Sequence, residues 1–379
     1  MDNRPIYLDC NATTPIEPSV CDKVSHFLEE EMGNSASRTH VWGMRAKQAV
    51  QVARHQVADV VKAKNDEVIF TSGATESNNI ALLGLARYGE KTAKKHIVTT
   101  KIEHKSVLEP LAYLREHDFE ISYVPVDKKG WIDPKDLADT IRDETLAVSI
   151  MHVNNETGVI QPISQITEIL GDHPAFLHVD AAQGFGKEIE PLRNSRIDMI
   201  SISAHKIFGP KGIGALVVRR RGFKRLPLEP IMFGGGHERG LRPGTLPVQL
   251  IVGFGEAAEL ALSSFSKRES RCRMIREKAV RALTSIGGVI NGDDEKIMPH
   301  VLNISFPGLD SEAALVALKD VVAISNGSAC TSQSYAPSHV LEGMGLDKDH
   351  LKSALRISWC HMTPDVDWKA VASRLRSCM

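Results

Sequence analysis

The sequence predicts an α/β protein in which a large three-layer domain with a mostly parallel sheet (15–248) carries a smaller α+β domain (1–14 plus 249–379). Three observations point there. Between about residues 45 and 220, short continuous apolar runs alternate with helical stretches, the pattern of a sheet covered on both faces. After Gly244-Thr245-Leu246-Pro247 the strands become fewer and the elements group. A length of 379 residues, 42% hydrophobic and 25% charged, suits two units with self-sufficient cores.

In chain order, Ala46, Ala49, Val50, Ala53, Val57, Val60 and Val61 recur at three- and four-residue spacing and predict an amphipathic helix over 45–63. A strand at 67–70 follows. Thr-Ser-Gly-Ala-Thr-Glu-Ser (71–77) then opens a helix that Ser72 or Thr75 can cap. Further strands are predicted at 96–99, 121–124, 146–153, 176–179, 199–203 and 213–218. Beyond them lie a helical stretch over 248–284, strands at 286–290 and 300–306, a helix at 311–319 and a strand at 321–325. An irregular stretch runs through Ser334, and a helix, a strand at 354–359 and a terminal helix from Pro364 complete the chain.

Several chemistries lose support from composition and motifs. Lys plus Arg (46) nearly balances Asp plus Glu (47), so no global field would hold a polyanion and no direct nucleic-acid binding is expected. No apolar run reaches the roughly 18 residues of a membrane span. The N-terminus lacks the features of a targeting leader, and the expectation is a cytoplasmic protein. The six cysteines include no C-x-x-C pair, which predicts free thiols and no metal site. Gly253-Phe-Gly255-Glu-Ala-Ala258 matches a dinucleotide fingerprint in letters only. Its surroundings look helical, so small residues easing helix packing is the better reading. P-loop, zincin and nucleophile-elbow sequences are missing.

The informative segments fall at the ends of predicted strands, where open α/β sheets bind ligands. They are Gly73-Ala74-Thr75-Glu76, Glu103-His104-Lys105, Asn154-Asn155-Glu156, Asp180-Ala181-Ala182-Gln183 and Ser203-Ala204-His205-Lys206. A lysine such as Lys206, beside a phosphate site and a low-dielectric sheet edge, suits a Schiff-base nucleophile. Asp180 ends an apolar strand, where a carboxylate calls for a cationic partner such as a protonated pyridine nitrogen. Gly73, Ala74 and Thr75 at a helix start can hold a phosphate, with Ser203 and His205 beside them. Lysine, aspartate and phosphate cradle are the parts that pyridoxal 5′-phosphate needs.

With those residues in view, the chain resembles cysteine desulfurases of the NifS/IscS type, in the class V aminotransferase group of fold-type I pyridoxal phosphate enzymes. The likeness runs over nearly the whole chain. It is carried most specifically by Thr71-Ser-Gly-Ala-Thr-Glu-Ser77, Met151-His-Val-Asn-Asn-Glu156, His205-Lys-Ile-Phe-Gly-Pro-Lys-Gly212, Gly234-Gly-Gly-His-Glu-Arg239 and Gly327-Ser-Ala-Cys-Thr-Ser332. The resemblance implies the three-layer PLP-transferase fold and a homodimer. It also implies that Lys206 carries the cofactor, Asp180 pairs with its ring nitrogen, His104 stacks on the ring and Gln183 meets its phenolic oxygen. Ala74, Thr75, Ser203 and His205 would hold the phosphate, with Thr245 reaching it from the partner subunit. Asn155 and Arg356 would hold the carboxylate of the substrate L-cysteine, with Asn34 also at the substrate, and Asn155 would in addition contact the cofactor.

Cys330 decides among family members. Asn-Gly-Ser-Ala-Cys-Thr-Ser-Gln-Ser-Tyr-Ala-Pro is small and polar, which predicts a mobile loop. About six residues at roughly 3.3 Å each would let the thiol sweep up to roughly 20 Å. The implied reaction has Lys206 moving the Cα proton, the Cys330 thiolate taking the substrate's sulfur as a persulfide, His104 as acid/base near the thiol, and L-alanine as product. A protein sulfur acceptor would follow, in DNA phosphorothioation, tRNA thiolation or iron-sulfur assembly. Housekeeping members continue some twenty residues beyond the point that matches Met379, which favours an acceptor other than the cluster scaffold. Selenocysteine lyase, another class V transaminase and a catalytically silent adaptor are the rival readings. Trp359-Cys360, where the family is often Leu-Gly-like, predicts an altered outer wall of the carboxylate pocket.

Overall fold

The computed structural model describes residues 4–326 and 337–379. Cys330 and the loop predicted around it lie outside the described residues. The first half of the chain runs β1 (Ile6–Tyr7), α1 (Pro18–Glu29), α2 (Val41–Val60), β2 (Val68–Thr71), α3 (Ala74–Leu83), α4 (Ala86–Thr92), β3 (His96–Thr100), α5 (Lys105–Glu116) and β4 (Glu120–Val124). Then come α6 (Pro134–Thr140), β5 (Thr145–Met151), α7 (Ile163–Leu170), β6 (Phe176–Asp180), β7 (Met199–Ser203) and β8 (Gly214–Val218). The second half holds α8 (Val248–Ser263), α9 (Phe265–Thr284), β9 (Val289–Ile290), β10 (Val301–Ser305), α10 (Ser311–Leu318) and β11 (Val322–Ala323). It closes with α11 (His339–Gly343), α12 (Lys348–Ser353), β12 (Ala354–Ser358) and α13 (Trp368–Arg376).

Seven strands form the large sheet in the order β2-β8-β7-β6-β5-β3-β4, with β8 antiparallel to both neighbours and the other pairs parallel. Its continuous apolar runs are explained by burial on two faces. Phe70, Val98, Val148, Ile200 and Val217 pack in a core with Val50, Val57 and Phe254. Their chain neighbours Ile69, Ile97, Ala147, Met199 and Leu216 pack in a second core with Leu82, Leu111 and Leu114. The period-two alternation of a strand sends each neighbour to the opposite layer. A third core gathers Leu8 with Ile275, Leu283, Ile304, Leu355 and Trp359 around the antiparallel sheet β12-β10-β9.

Register brings the carboxyl ends of the central strands level. Met151 pairs with Asp180, Asp180 with Ser201, and Ser203 with Gly214. The segments that follow β5, β6 and β7 therefore emerge side by side, and β2 delivers the start of α3 nearby.

Some local expectations change. The helix predicted from 45 begins at Val41, because His40 caps it by accepting the Gly43 N–H at 3.2 Å. Neither Ser72 nor Thr75 caps α3. Gly73 occupies that position at φ +156°, and a Cβ on facing Gly214 would lie 2.6 Å from its Cα, so only glycines let the two chains approach. The stretch over 248–284 is two helices bent by 76° at Ser264. The terminal helix starts at Trp368, where Asp367 accepts the Lys369 and Ala370 N–H groups. Gly253 and Gly255 do ease packing. Added Cβ atoms would lie 2.5 Å from the Val24 side chain and 2.6 Å from the Ala53 Cα, in helices α1 and α2. Among the described residues no single helix is long and apolar enough to cross a membrane, and no cluster suited to a metal ion occurs.

Candidate active site

A cleft of about 480 Å³ opens where β5, β6 and β7 end. Its lining includes Lys206, Asp180, His104, Gln183, Ala74, Thr75, Ser203, His205, Asn155 and Arg356, ten of the residues singled out in the sequence. Asn34 is not in that lining. It is exposed, and its side chain accepts the Ala36 N–H at 2.9 Å in the turn before α2. Thr245 is also exposed and outside the cleft of its own chain.

Asp180, the last residue of β6, is only 5% exposed. Its carboxylate is fixed from two sides, by the Asn78 amide on Oδ2 at 2.8 Å and the Ala182 N–H on Oδ1 at 2.9 Å. The same Asn78 amide donates to Ser106 Oγ at 2.8 Å, and Ser106 Oγ lies 2.7 Å from His104 Nδ1. That nitrogen also accepts the Ser106 N–H at 3.1 Å, so the neutral ring carries its proton on Nε2. Burial lowers the His104 pKa, and the positive charge of Lys206 adds to this while Asp180 opposes it. The imidazole is therefore neutral near pH 7.

Lys206 lies in the short helical turn that follows β7. Its ammonium donates to the carbonyls of Asn11 and, at 2.8 Å, Ala12. Gln183 Nε2 donates to the same Asn11 carbonyl at 2.9 Å. The neighbouring His205 is drawn down to about 4 by burial and by the charges of Lys206, Lys211 and Lys187. Arg356, 1% exposed on β12, donates to Asp9 at 2.9 Å and to the Asn155 carbonyl at 3.3 Å.

Four buried polar atoms of lining residues have no partner: Asn11 Oδ1, Asn155 Oδ1, Gln183 Oε1 and Arg356 Nε. Buried polar groups are normally paired, so these mark places for a ligand. Together with a fixed carboxylate, a lysine and the start of a ten-residue helix, they fit pyridoxal phosphate. Asn11, Asn78 and Ser106 are participants that motif reading missed. Asn78 is wholly buried on α3 beside Ser77, Ile80, Ala81 and Leu82, and only burial, which the sequence does not show, sets it apart. Trp359 and Cys360 do not wall this cleft. The Trp359 indole donates to the Cys272 carbonyl at 3.0 Å and packs edge-on to Trp368.

Comparison with known proteins identifies the family. The Aminotransferase class-V family matches residues 6–370. Cysteine desulfurase IscS of Escherichia coli (strain K12 / DH10B) is 46% identical over 364 residues, covering 95% of this chain and 89% of the relative. A solved NifS-like protein superposes with a TM-score of 0.90 at 36% identity, covering 98% of each chain. DndA from Streptomyces lividans gives 0.83 at 51% identity, covering 92% of this chain and 98% of the other. The cysteine desulfurases are pyridoxal phosphate-dependent, and by matched length and identity this chain belongs to the class V aminotransferase family, among its cysteine desulfurases.

Proposed function

We propose that this chain holds pyridoxal 5′-phosphate in the cleft and removes sulfur from L-cysteine, leaving L-alanine and a persulfide on Cys330. The observation that carries the reading is the convergence of Lys206, Asp180 and His104 on one cleft at the carboxyl ends of β5–β7. When bound, the cofactor supplies an electron sink for charge developing at the substrate Cα. Lys206 would hold the cofactor and would move the Cα proton. Asp180, held by Asn78 and Ala182, balances the charge of a protonated ring nitrogen. Gln183 would meet the phenolic oxygen, and Ala74, Thr75, Ser203 and His205 would hold the phosphate, joined by Thr245 of a second subunit in a homodimer. The free Arg356 Nε and the Asn155 side chain receive the substrate carboxylate. Neutral His104, with Nδ1 held by Ser106, offers Nε2 for proton transfer near the thiol. The persulfide then passes to a protein acceptor in DNA phosphorothioation, tRNA thiolation or iron-sulfur assembly, in the cytoplasm.

Alanine release is the direct test. A Cys330→Ser variant is expected to bind cysteine and stay yellow, yet release alanine at least about 100-fold more slowly, since the nucleophile is gone. Wild-type alanine release by that variant would contradict the persulfide step and favour another class V chemistry. Normal turnover by Lys206→Ala would remove the lysine from the reaction.

A further inference from the structure

A second cavity, of about 50 Å³, lies behind the segment that carries Asn11. It is walled by Cys10, Cys272, Cys360, Lys187, His300 and Trp359, none of which lines the catalytic cleft. We propose that Cys10 and Cys360 are a hydroperoxide-sensitive thiol pair that closes to a disulfide beside the active site.

The backbone holds the pair together. Asp9 bridges Ser358 in parallel, the Cys10 N–H donates to the Ser358 carbonyl at 3.1 Å, and the Asn11 N–H donates to Ser358 Oγ at 2.9 Å. Paired segments run roughly 4.8 Å apart, and Cys10 and Cys360 follow this pairing by one and two residues, so the two cysteines leave it as near neighbours. Both thiols pack in one cluster with Phe208. They are only 2% and 3% exposed, but the cavity exceeds the roughly 10–15 Å³ that one water-sized molecule requires, so a small hydroperoxide fits.

The surroundings assign the roles. Hydrogen bonding from Cys10, against burial and with help from Thr363, draws the Cys360 thiol down to about 7. The Thr363 hydroxyl donates to Cys360 Sγ at 3.7 Å, a contact that favours its thiolate, so Cys360 is the sulfur that attacks. Cys10 is pushed strongly up by its hydrogen bond to Cys360 and by burial, which keeps it protonated as the donor. Burial and the charge of Cys360 push Cys272 up to about 12, leaving it a bystander. Lys187, drawn down to about 8 by burial and 3.3 Å from His300 Nε2, supplies positive charge to the thiols.

In the reaction, the Cys360 thiolate attacks a peroxide oxygen, the O–O bond breaks, and the Cys10 proton leaves with hydroxide as water. The Cys10 thiolate then attacks the sulfenic sulfur of Cys360. The S–O bond breaks, and the departing hydroxide takes a proton from solvent. Two sulfurs lose two electrons, and one hydroperoxide becomes two waters when hydrogen peroxide is used.

The test treats the full-length protein with hydrogen peroxide, alkylates it, digests it without reduction and maps the peptides by mass. A Cys10–Cys360 linked peptide that dithiothreitol reverses is expected, in wild type and in Cys330→Ser. In Cys10→Ser the sulfenic acid on Cys360 should persist long enough for dimedone to trap it. A bond from Cys360 to Cys272, or a Cys360 that remains fully alkylatable when the treated protein is unfolded in denaturant before alkylation, would overturn the proposal.

Discussion

Glu103 sits wholly buried beneath the cleft, accepting from the Met151 N–H at 3.0 Å and the Thr100 hydroxyl at 2.9 Å, while its other oxygen has no partner. Burial raises its pKa to about 8, with the Met151 hydrogen bond opposing and the charge of Asp180 adding. A folded-state value above the unfolded one contributes stability that is full below about pH 4.5 and is lost as pH rises towards 8, because only the unfolded chain ionises over that window. Relative to Glu103→Gln, wild type should lose up to roughly 4 kcal/mol of unfolding free energy between pH 4.5 and 8. Denaturant titration of both proteins across that window checks it, and parallel pH profiles would contradict it. Asp180→Ala should lower alanine release at least about 100-fold, by leaving the ring nitrogen's charge uncompensated. Steady-state assay with saturating cofactor reads this, and an unchanged rate would contradict it. Asp180 and Lys206 were legible in the sequence because Asp180 ends an apolar strand and Lys206 lies three residues beyond another. The protonation of Glu103 was not, since it depends on packing from three separate strands.

At the scale of elements, the Gly234-Gly-Gly-His-Glu-Arg239 segment has a structural role that its letters did not reveal. Glu238, in a left-handed conformation at φ 43°, forms a bidentate pair with Arg54 of α2 at 2.6 and 2.8 Å and accepts the Phe70 N–H of β2 at 2.7 Å. Arg54 also donates to the Val68 carbonyl at 2.6 Å and lies over the Phe70 ring. Both side chains are under a tenth exposed, so removing one strands the other. Arg54→Met is expected to destabilise the protein by about 3–5 kcal/mol, measured by denaturant titration, and Arg54→Met/Glu238→Leu by much less than the sum of the single changes. Additive losses would contradict the pairing. The strands of the large sheet were legible to within a residue or two because apolar runs bounded by turns leave little choice of length. The bend at Ser264 was hidden, since α8 and α9 are both helical in pattern and only tertiary packing turns the chain there.

For the whole molecule, the three-layer plan was legible because alternation of strand and helix dictates a covered parallel sheet, and the matching register of β5, β6 and β7 follows from that plan. What one chain's sequence leaves open is how chains meet. Ile231, Met232 and Phe233 are exposed at 39%, 45% and 85%, a short stretch before Thr245. If the chain forms the proposed homodimer, this segment is expected to be covered in it, and Met232→Arg/Phe233→Arg to sediment as a 41.6 kDa monomer with alanine release reduced at least about tenfold. Wild type sedimenting as that monomer would contradict the dimer.

The central claim is that one lysine at the rim of the sheet carries the cofactor, opposite a carboxylate fixed by Asn78 and the Ala182 N–H. Borohydride reduction of the protein loaded with pyridoxal phosphate, followed by peptide mass mapping, tests it most directly. The account predicts a single reduced pyridoxyl adduct, on Lys206. An adduct on Lys187 or Lys211 instead, or none at all, would contradict it.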